Sequence, residues 1–342
     1  MKTLKRKKLV IFFIALNLIL DTYICWAIFT YIKLSKPQEY VKNGIKVNYE
    51  FVNPKFSFFL PLKIRAEKLS YKREEFDKDY KSIVFNDVKI SLLPFWTKQL
   101  VASKAVGAMV SNVNQKGMKY INVTAKASDI DIKFNGLDIS SLFLKNLTSE
   151  VSNLVKINID KYSFDMDSKK VNFDIKNMGV QYLKTLSGIP PITVDNISGY
   201  LSTEPSMKRL NNIWKKKVLE YKDGLSNQQM PLEMLKSYLD ELRNKDGKFN
   251  YCFEISSSDY KCNFTSLLDF KNRKANGKID FIVNASTNSQ LFPTLFASMN
   301  NLPWNLKAKN LEMGKWQVSL DVEDDMLKNE NRNIASLDFL NK

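Results

Sequence analysis

Residues Ser82–Leu92 read SIVFNDVKISL. Val84, Val88, Ile90 and Leu92 fall on one side of a period of two, with Lys89 and Ser91 between the last three, which is the pattern of a strand with one buried face. A helix would keep Val88 and Leu92 together but turn Ile90 to the opposite side. The same period appears on both sides of this stretch. Upstream, Ile45, Val47, Tyr49 and Phe51 alternate with Lys46, Asn48 and Glu50 until Asn53-Pro54 breaks the run. Leu62, Ile64 and Ala66 then alternate with Lys63, Arg65 and Glu67, and the phase slips before Leu69 and Tyr71, which predicts a bulge. Downstream come Ile121, Val123, Ala125 and Ala127, then Ile130, Ile132 and Phe134, closed by Asn135-Gly136. Further runs are Val155, Ile157 and Ile159, then Tyr162, Phe164 and Met166, then Val171, Phe173 and Ile175. Residues Leu100–Val113 are small and apolar and fit no single period. Short alternating strands at even spacing predict a long antiparallel meander over residues 44–200.

The period changes after Pro205. Met207, Leu210, Trp214, Val218 and Tyr221 recur at helical spacing behind Ser206 as a candidate N-cap, and Gly224 stops the run. A second helix starts at Pro231 and carries Leu235, Leu239 and Leu242 to Gly247. This predicts a helical hairpin over residues 205–246 that plugs an open end of the sheet or covers its apolar face. Alternation resumes over 248–323, in Phe249–Ile255, Tyr260–Phe270 and Lys278–Val283, with Asn276-Gly277 as a hairpin turn. A short helix is predicted from about Ser289 through Phe292, Leu295, Phe296 and Met299. A last strand holds Trp316, Val318, Leu320 and Val322. Residues 324–342 read as a polar, disordered tail.

The N-terminus carries a different signal. Leu9–Ile32 is a run of 24 residues whose single formal charge is Asp21. At ~1.5 Å per residue it spans about 36 Å as a helix, enough to cross a bilayer core of roughly 30 Å with some tilt. Lys2, Lys5, Arg6, Lys7 and Lys8 precede it, so residues 1–8 are expected on the cytoplasmic side and the body on the other. A cleaved signal peptide competes with this reading. Against cleavage, the apolar run resumes after Asp21 with Tyr23, Ile24, Trp26, Ile28 and Phe29, and no small-x-small site follows. Asn17 and Asp21 share a helix face, as a contact with a partner helix or as groups within reach of one interface.

The chain has 342 residues, a net charge of +16 and no histidine. The missing histidine removes the commonest general base, the commonest metal ligand and any Ser-His or Cys-His pair. No carboxylate pair stands out, so neither an enzyme, a cofactor nor a metal site is expected. Lysines are scattered among acids without an aromatic-interleaved stripe, which argues against nucleic acid. A basic body beside a membrane suits anionic headgroups, and equally a solvated lysine-rich surface. Cys25 lies in the apolar run. Cys252 and Cys262 flank a hairpin, YCFEISSSDYKC, and are a disulfide candidate if the body is extracytoplasmic. Direct pairing of the two would put Phe253 and Ile255 on one face and Tyr260 and Phe264 on the other, unless a one-residue bulge intervenes.

The anchor followed by VKNGIKVNYEFV, FFLPLKIRAEKLSYK and SIVFNDVKISLLPFW resembles the AsmA-like and bridge-like lipid-transfer proteins and the single-anchor protein N of type II secretion. The resemblance covers about residues 44–100, more loosely to Phe173. The expected fold is mainly β (α+β): an N-terminal transmembrane helix, then a long curved antiparallel β-meander with a two-helix insert. The helical insert at Met207–Arg243 departs from the pattern of the resemblance. The resemblance implies the curvature and a concave apolar face that shields acyl chains. It also implies a bacterial inner-membrane protein with a periplasmic body, whose partners are membrane lipids and other envelope proteins. An apolar sheet face must be covered by a second sheet, by helices or by lipid. If lipid covers it, Val84, Val88, Ile90, Val123, Ile157, Phe173 and Ile175 are the expected lining. A sheet folded onto itself would instead suit a structural or assembly factor of a secretion or envelope complex, with Phe95-Trp96 as an exposed patch.

Overall fold

A computed structural model describes residues 20–42, 45–58, 61–75, 79–93, 96–115, 118–135, 138–152, 154–167, 169–183, 192–204, 230–288, 292–293, 297, 299, 302, 306–330 and 332–336. Among these the chain is mainly β, with eighteen strands and two helices, and every strand pair with an assigned register is antiparallel. It divides into two compact units, residues 1–161 with 180–191, and residues 162–179 with 192–342.

The first unit contains β1 (Gln38–Lys42), β2 (Ile45–Val52), β3 (Lys55–Ser57), β4 (Leu62–Glu75), β5 (Asp79–Leu93), β6 (Trp96–Gln115), β7 (Met118–Asn135) and β8 (Asp138–Val151). Each pairs with its neighbour in the order β1-β2-β4-β5-β6-β7-β8, and β3 continues the edge of β4 beyond the break at Asn53-Pro54. Leu100–Val113, ambiguous in sequence, belongs to strand β6. β9 (Val155–Met166) and β10 (Lys170–Tyr182) contribute residues to both units.

One side of this sheet is apolar. Its centre is Ile64, Val88, Ile90, Leu100, Ala102, Ala127 and Ile130, with Leu69, Phe85, Ala105 and Leu147 packed against them. The spacing is informative. Along each strand the apolar series changes parity: Ala66 to Leu69, Val88 to Phe85, Ala102 to Ala105, Ile130 to Ala127, Leu144 to Leu147. Strict alternation would turn the second member of each pair to the other face. The sheet keeps them together through a transverse row of irregular residues. Asp87, Asp129 and Asn146 take positive φ of 51°, 48° and 47°, a conformation that Asp and Asn tolerate better than other side-chain-bearing residues. Ser103 on the intervening strand donates its hydroxyl to the Asp87 carboxylate at 2.6 Å, and Asn146 donates to the Ser128 hydroxyl at 2.9 Å. The phase slip before Leu69 is thus one point on a kink line that crosses the unit, and it is not the predicted bulge: the β4–β5 register runs through it unshifted, with Ala66 opposite Val88 and Leu69 opposite Phe85.

Residues 20–34 form helix α1. Tyr23, Ala27, Thr30 and Leu34 are its sheltered stripe. The Tyr23 hydroxyl donates to the Phe58 carbonyl at 3.1 Å, Tyr31 meets Phe56 edge-on at 4.7 Å between centroids, and Leu34 joins the apolar face of the sheet. The other side exposes Leu20, Ile24, Ile28, Phe29 and Ile32 by 44–65%. Among the described residues no helix is long and apolar enough to cross a membrane; residues 9–19 of the predicted span lie outside them.

The second unit contains β11 (Ile192–Glu204), helix α2 (Met230–Asn244), β12 (Lys248–Ser256), β13 (Tyr260–Lys271), β14 (Lys274–Ala285), β15 (Lys309–Glu312), β16 (Lys315–Glu323), β17 (Met326–Asn329) and β18 (Arg332–Ser336). The order is β11-β12-β13-β14-β16-β17-β18, with β15 hairpinned onto β16. α2 confirms the second helix of the predicted insert. The first helix, over residues 207–221, lies outside the described residues, as does the side chain of Leu235. Leu239 and Leu242 pack over Leu268, Phe270, Ala275 and Val322, and the helical residues Phe292 and Met299 cover Val283, Ala285 and Trp316. The tail expected to be disordered instead supplies β17 and β18. Asp325, at φ 70°, explains it: its carboxylate is buried against Arg243 at 3.0 Å and accepts the Ala275 amide at 3.0 Å, so the turn before β17 is pinned to both α2 and β14.

The disulfide expectation is also corrected. Cys252 pairs with Thr265, and Cys262 pairs with Ile255. The two cysteines are therefore three ladder positions apart, about 10 Å along the strands, and point to opposite faces. That separation exceeds the reach of a disulfide, and both thiols are free. The register that wins puts Phe253 opposite Phe264, so the apolar face, rather than the cysteines, sets the hairpin.

Candidate functional site: an apolar concavity on the first unit

The kinked face of the first unit holds a concavity of about 410 Å³, within the size range of small-molecule sites. Ile64 and Ile90 form its floor, and Phe51, Leu69, Phe85 and Leu92 its walls. Leu34, at the end of α1, closes one side, and Tyr49, Tyr71 and Ile83 extend it away from the helix. Each strand delivers its residue for a stated reason. Ile64 and Ile90 are direct cross-strand partners before the kink line, and Leu69 and Phe85 are direct partners after it. The residue that slips the phase, Asp87, turns its own carboxylate away to Ser103 on the polar side.

The concavity is chemically uniform. Thr97 and the tyrosine hydroxyls are the only polar side-chain groups among its lining residues. Burial pushes the Tyr49 phenol up from its ordinary value, and the hydrogen bond with Tyr40, 3.5 Å away, adds to this, so Tyr49 stays neutral at physiological pH. The floor is buried, with Ile64 1% and Ile90 7% exposed, whereas Ile83 at the far end is 39% exposed. An open trough of hydrocarbon and neutral phenol offers dispersion contact and exclusion of water, and nothing that polarises a bond or moves a proton. It suits an alkyl chain or an apolar side chain of another molecule.

The predicted lining residues divide in three ways. Ile90 is in the buried floor; Val88 is buried in the core of the same face and does not line the concavity; Val123 is half-buried on that face, opposite Met109. Ile157 is half-buried on β9, two residues from buried Ile159. Phe173 and Ile175 belong to the second unit, where Phe173 starts an aromatic row through Phe253, Phe264 and Phe281 at centroid separations of 5.7, 5.9 and 4.3 Å. Val84 is misplaced: the kink at Asp87 turns it to the polar side, opposite Ser70 and Val106, and brings Ile83 and Phe85 inward in its place. The sequence signal for that exchange was the slip already visible on β4, since β4 and β5 are paired through the same line. Phe95 lies outside the described residues, as does the side chain of Trp96.

Compared with protein-family models, curated proteins and solved structures, the chain matches none.

Proposed function

We propose that this protein is a non-enzymatic lipid-binding module held at a bacterial inner membrane by its N-terminal apolar helix, with a periplasmic body whose first unit shelters an acyl chain. The resemblance to AsmA-like and bridge-like lipid-transfer proteins points the same way and suggests a role in envelope lipid homeostasis. The observation that carries the proposal is the open apolar trough next to Leu34, at the end of the helix whose outer side exposes Ile24, Ile28, Phe29 and Ile32. Each methylene sheltered there contributes about 0.8 kcal/mol, so a short length of chain gives appreciable affinity. The test is lipid extraction and native mass spectrometry of the full chain released from its own membrane. Phospholipid or fatty acid that co-purifies with the wild type and is lost in Phe85→Asp, with melting retained, supports the reading; a lipid-free wild type rejects it.

A second reading, a structural or assembly factor, is favoured by one feature of the second unit. Leu311 and Met313, at the β15–β16 hairpin, are 41% and 77% exposed, as expected of a contact with another envelope protein.

A further inference from the structure

The polar side of the first unit carries a feature that folding alone does not favour. Lys55 on β3 pairs directly with Arg65 on β4, and Arg65 pairs directly with Lys89 on β5. Three cations therefore stand side by side on three adjacent strands, about 5 Å apart from one to the next, and Lys63 lies one pleat nearer the strand ends. All four are exposed. None makes an ion pair with a described residue. The nearest acids on that face are engaged elsewhere: Glu67 accepts from the Asn53 amide at 2.9 Å and Asp87 from Ser103 at 2.6 Å. Like charges placed directly opposite destabilise a sheet, and a multivalent anionic surface relieves that repulsion.

The position of the row identifies the surface. Lys55 is followed by Phe56 and then Phe58, the residues that meet Tyr31 and Tyr23 of α1. Phe58 is itself 48% exposed where it meets Tyr23 and Tyr31 of the helix. Lys33, in the last turn of the same helix, and Lys36, two residues past its end, are exposed. Aromatic residues at the boundary and cations just beyond it are the arrangement that meets a bilayer interface. We infer that the Lys55–Arg65–Lys89 row, with Lys63, is a docking surface for anionic phospholipid headgroups, which seats the first unit against the membrane. This rests on the membrane placement proposed above and is independent of whether the trough holds lipid.

The test uses the full chain mixed with vesicles of phosphatidylcholine alone or with phosphatidylglycerol added. Amine-reactive labelling, read peptide by peptide, should fall severalfold at Lys55, Lys63 and Lys89 on the anionic vesicles and recover in high salt. Lys104 and Lys126, exposed on the polar side beyond the kink line, should label equally on both. Equal labelling of Lys55, Lys63 and Lys89 on the two vesicle types overturns the inference. Flotation separates this from failure of the anchor. If the chain does not float with phosphatidylcholine alone, it should still float with anionic vesicles, and the variant combining Lys55→Gln, Arg65→Gln and Lys89→Gln should partition on the order of a hundredfold less. A chain that floats with neither vesicle, or an unanchored triple variant that floats as well as wild type, also overturns it.

Discussion

Val84 and Phe85 are neighbours of similar hydrophobicity, and the kink at Asp87 sends them to opposite faces of the first unit. Phe85→Ala removes a wall of the trough. The ring is half-buried, so on the order of 50 Å² of its surface remains for a ligand to cover. At about 25 cal/mol per Å² that contact contributes roughly 1.3 kcal/mol, or about tenfold in affinity for an alkyl chain. Leu69→Ala, the direct cross-strand partner of Phe85, should weaken binding to a similar degree. Val84→Ala should leave affinity within about twofold, because its side chain faces Ser70 and Val106 on the polar side. The assay is titration of a fluorescent fatty acid onto the full chain held in amphipol, with a thermal melt of each variant to establish that it is folded. If Val84→Ala weakens binding as much as Phe85→Ala, the phase change at Asp87 is wrong and so is the assignment of the trough. If neither changes binding while the probe still binds, the alkyl chain sits elsewhere.

Three further outcomes test the second unit. Asp325→Ala removes the buried carboxylate 3.0 Å from the Arg243 guanidinium, a loss of about 3–5 kcal/mol; at roughly 2–4 °C per kcal/mol the melting temperature should fall by at least about 6 °C, and a shift under about 2 °C contradicts the clamp. Leu242→Asp, at a position 1% exposed, should leave the protein degraded or unfolded, whereas Leu267→Asp, at a position 62% exposed, should accumulate and melt normally. Cys252 and Cys262 should both be alkylated without reductant, and burial raises the Cys262 pKa, so its reaction with iodoacetamide should be slow at neutral pH and accelerate as pH rises through its raised value. An unreduced protein lighter by two hydrogens, with neither thiol reactive, would restore the disulfide.

Much of the meander was legible because lysine, arginine and asparagine mark the outer positions of strands whose inner positions are apolar. On β4 the contrast of Leu69 and Tyr71 with Ser70 and Lys72 also revealed the slip. On β5 the same slip was hidden, since Ile83, Val84 and Phe85 are consecutive apolar residues and satisfy either phase. β6 was ambiguous for a related reason: Ala105, Val106, Gly107 and Ala108 give both faces similar hydrophobicity, and only its pairing with β5 and β7 decides the matter. β17 and β18 carry little local signal, because Asp325 is held by Arg243, 82 residues earlier in the chain. The cationic row was invisible for the same kind of reason. Lys55, Arg65 and Lys89 lie on three separate strands, and only register brings them together.

Lipid in the trough is read most directly in the membrane where the protein works. A photo-crosslinking amino acid at Ile83, exposed at the open end of the trough, and another at Thr124, on the polar face of the same unit, place the same probe on opposite sides of the sheet. After irradiation of intact membranes, the full chain carrying the probe at Ile83 should gain the mass of a phospholipid or fatty acid, and the chain carrying it at Thr124 should not. No lipid adduct at Ile83, or adducts of equal yield at both positions, would mean that the trough does not hold lipid.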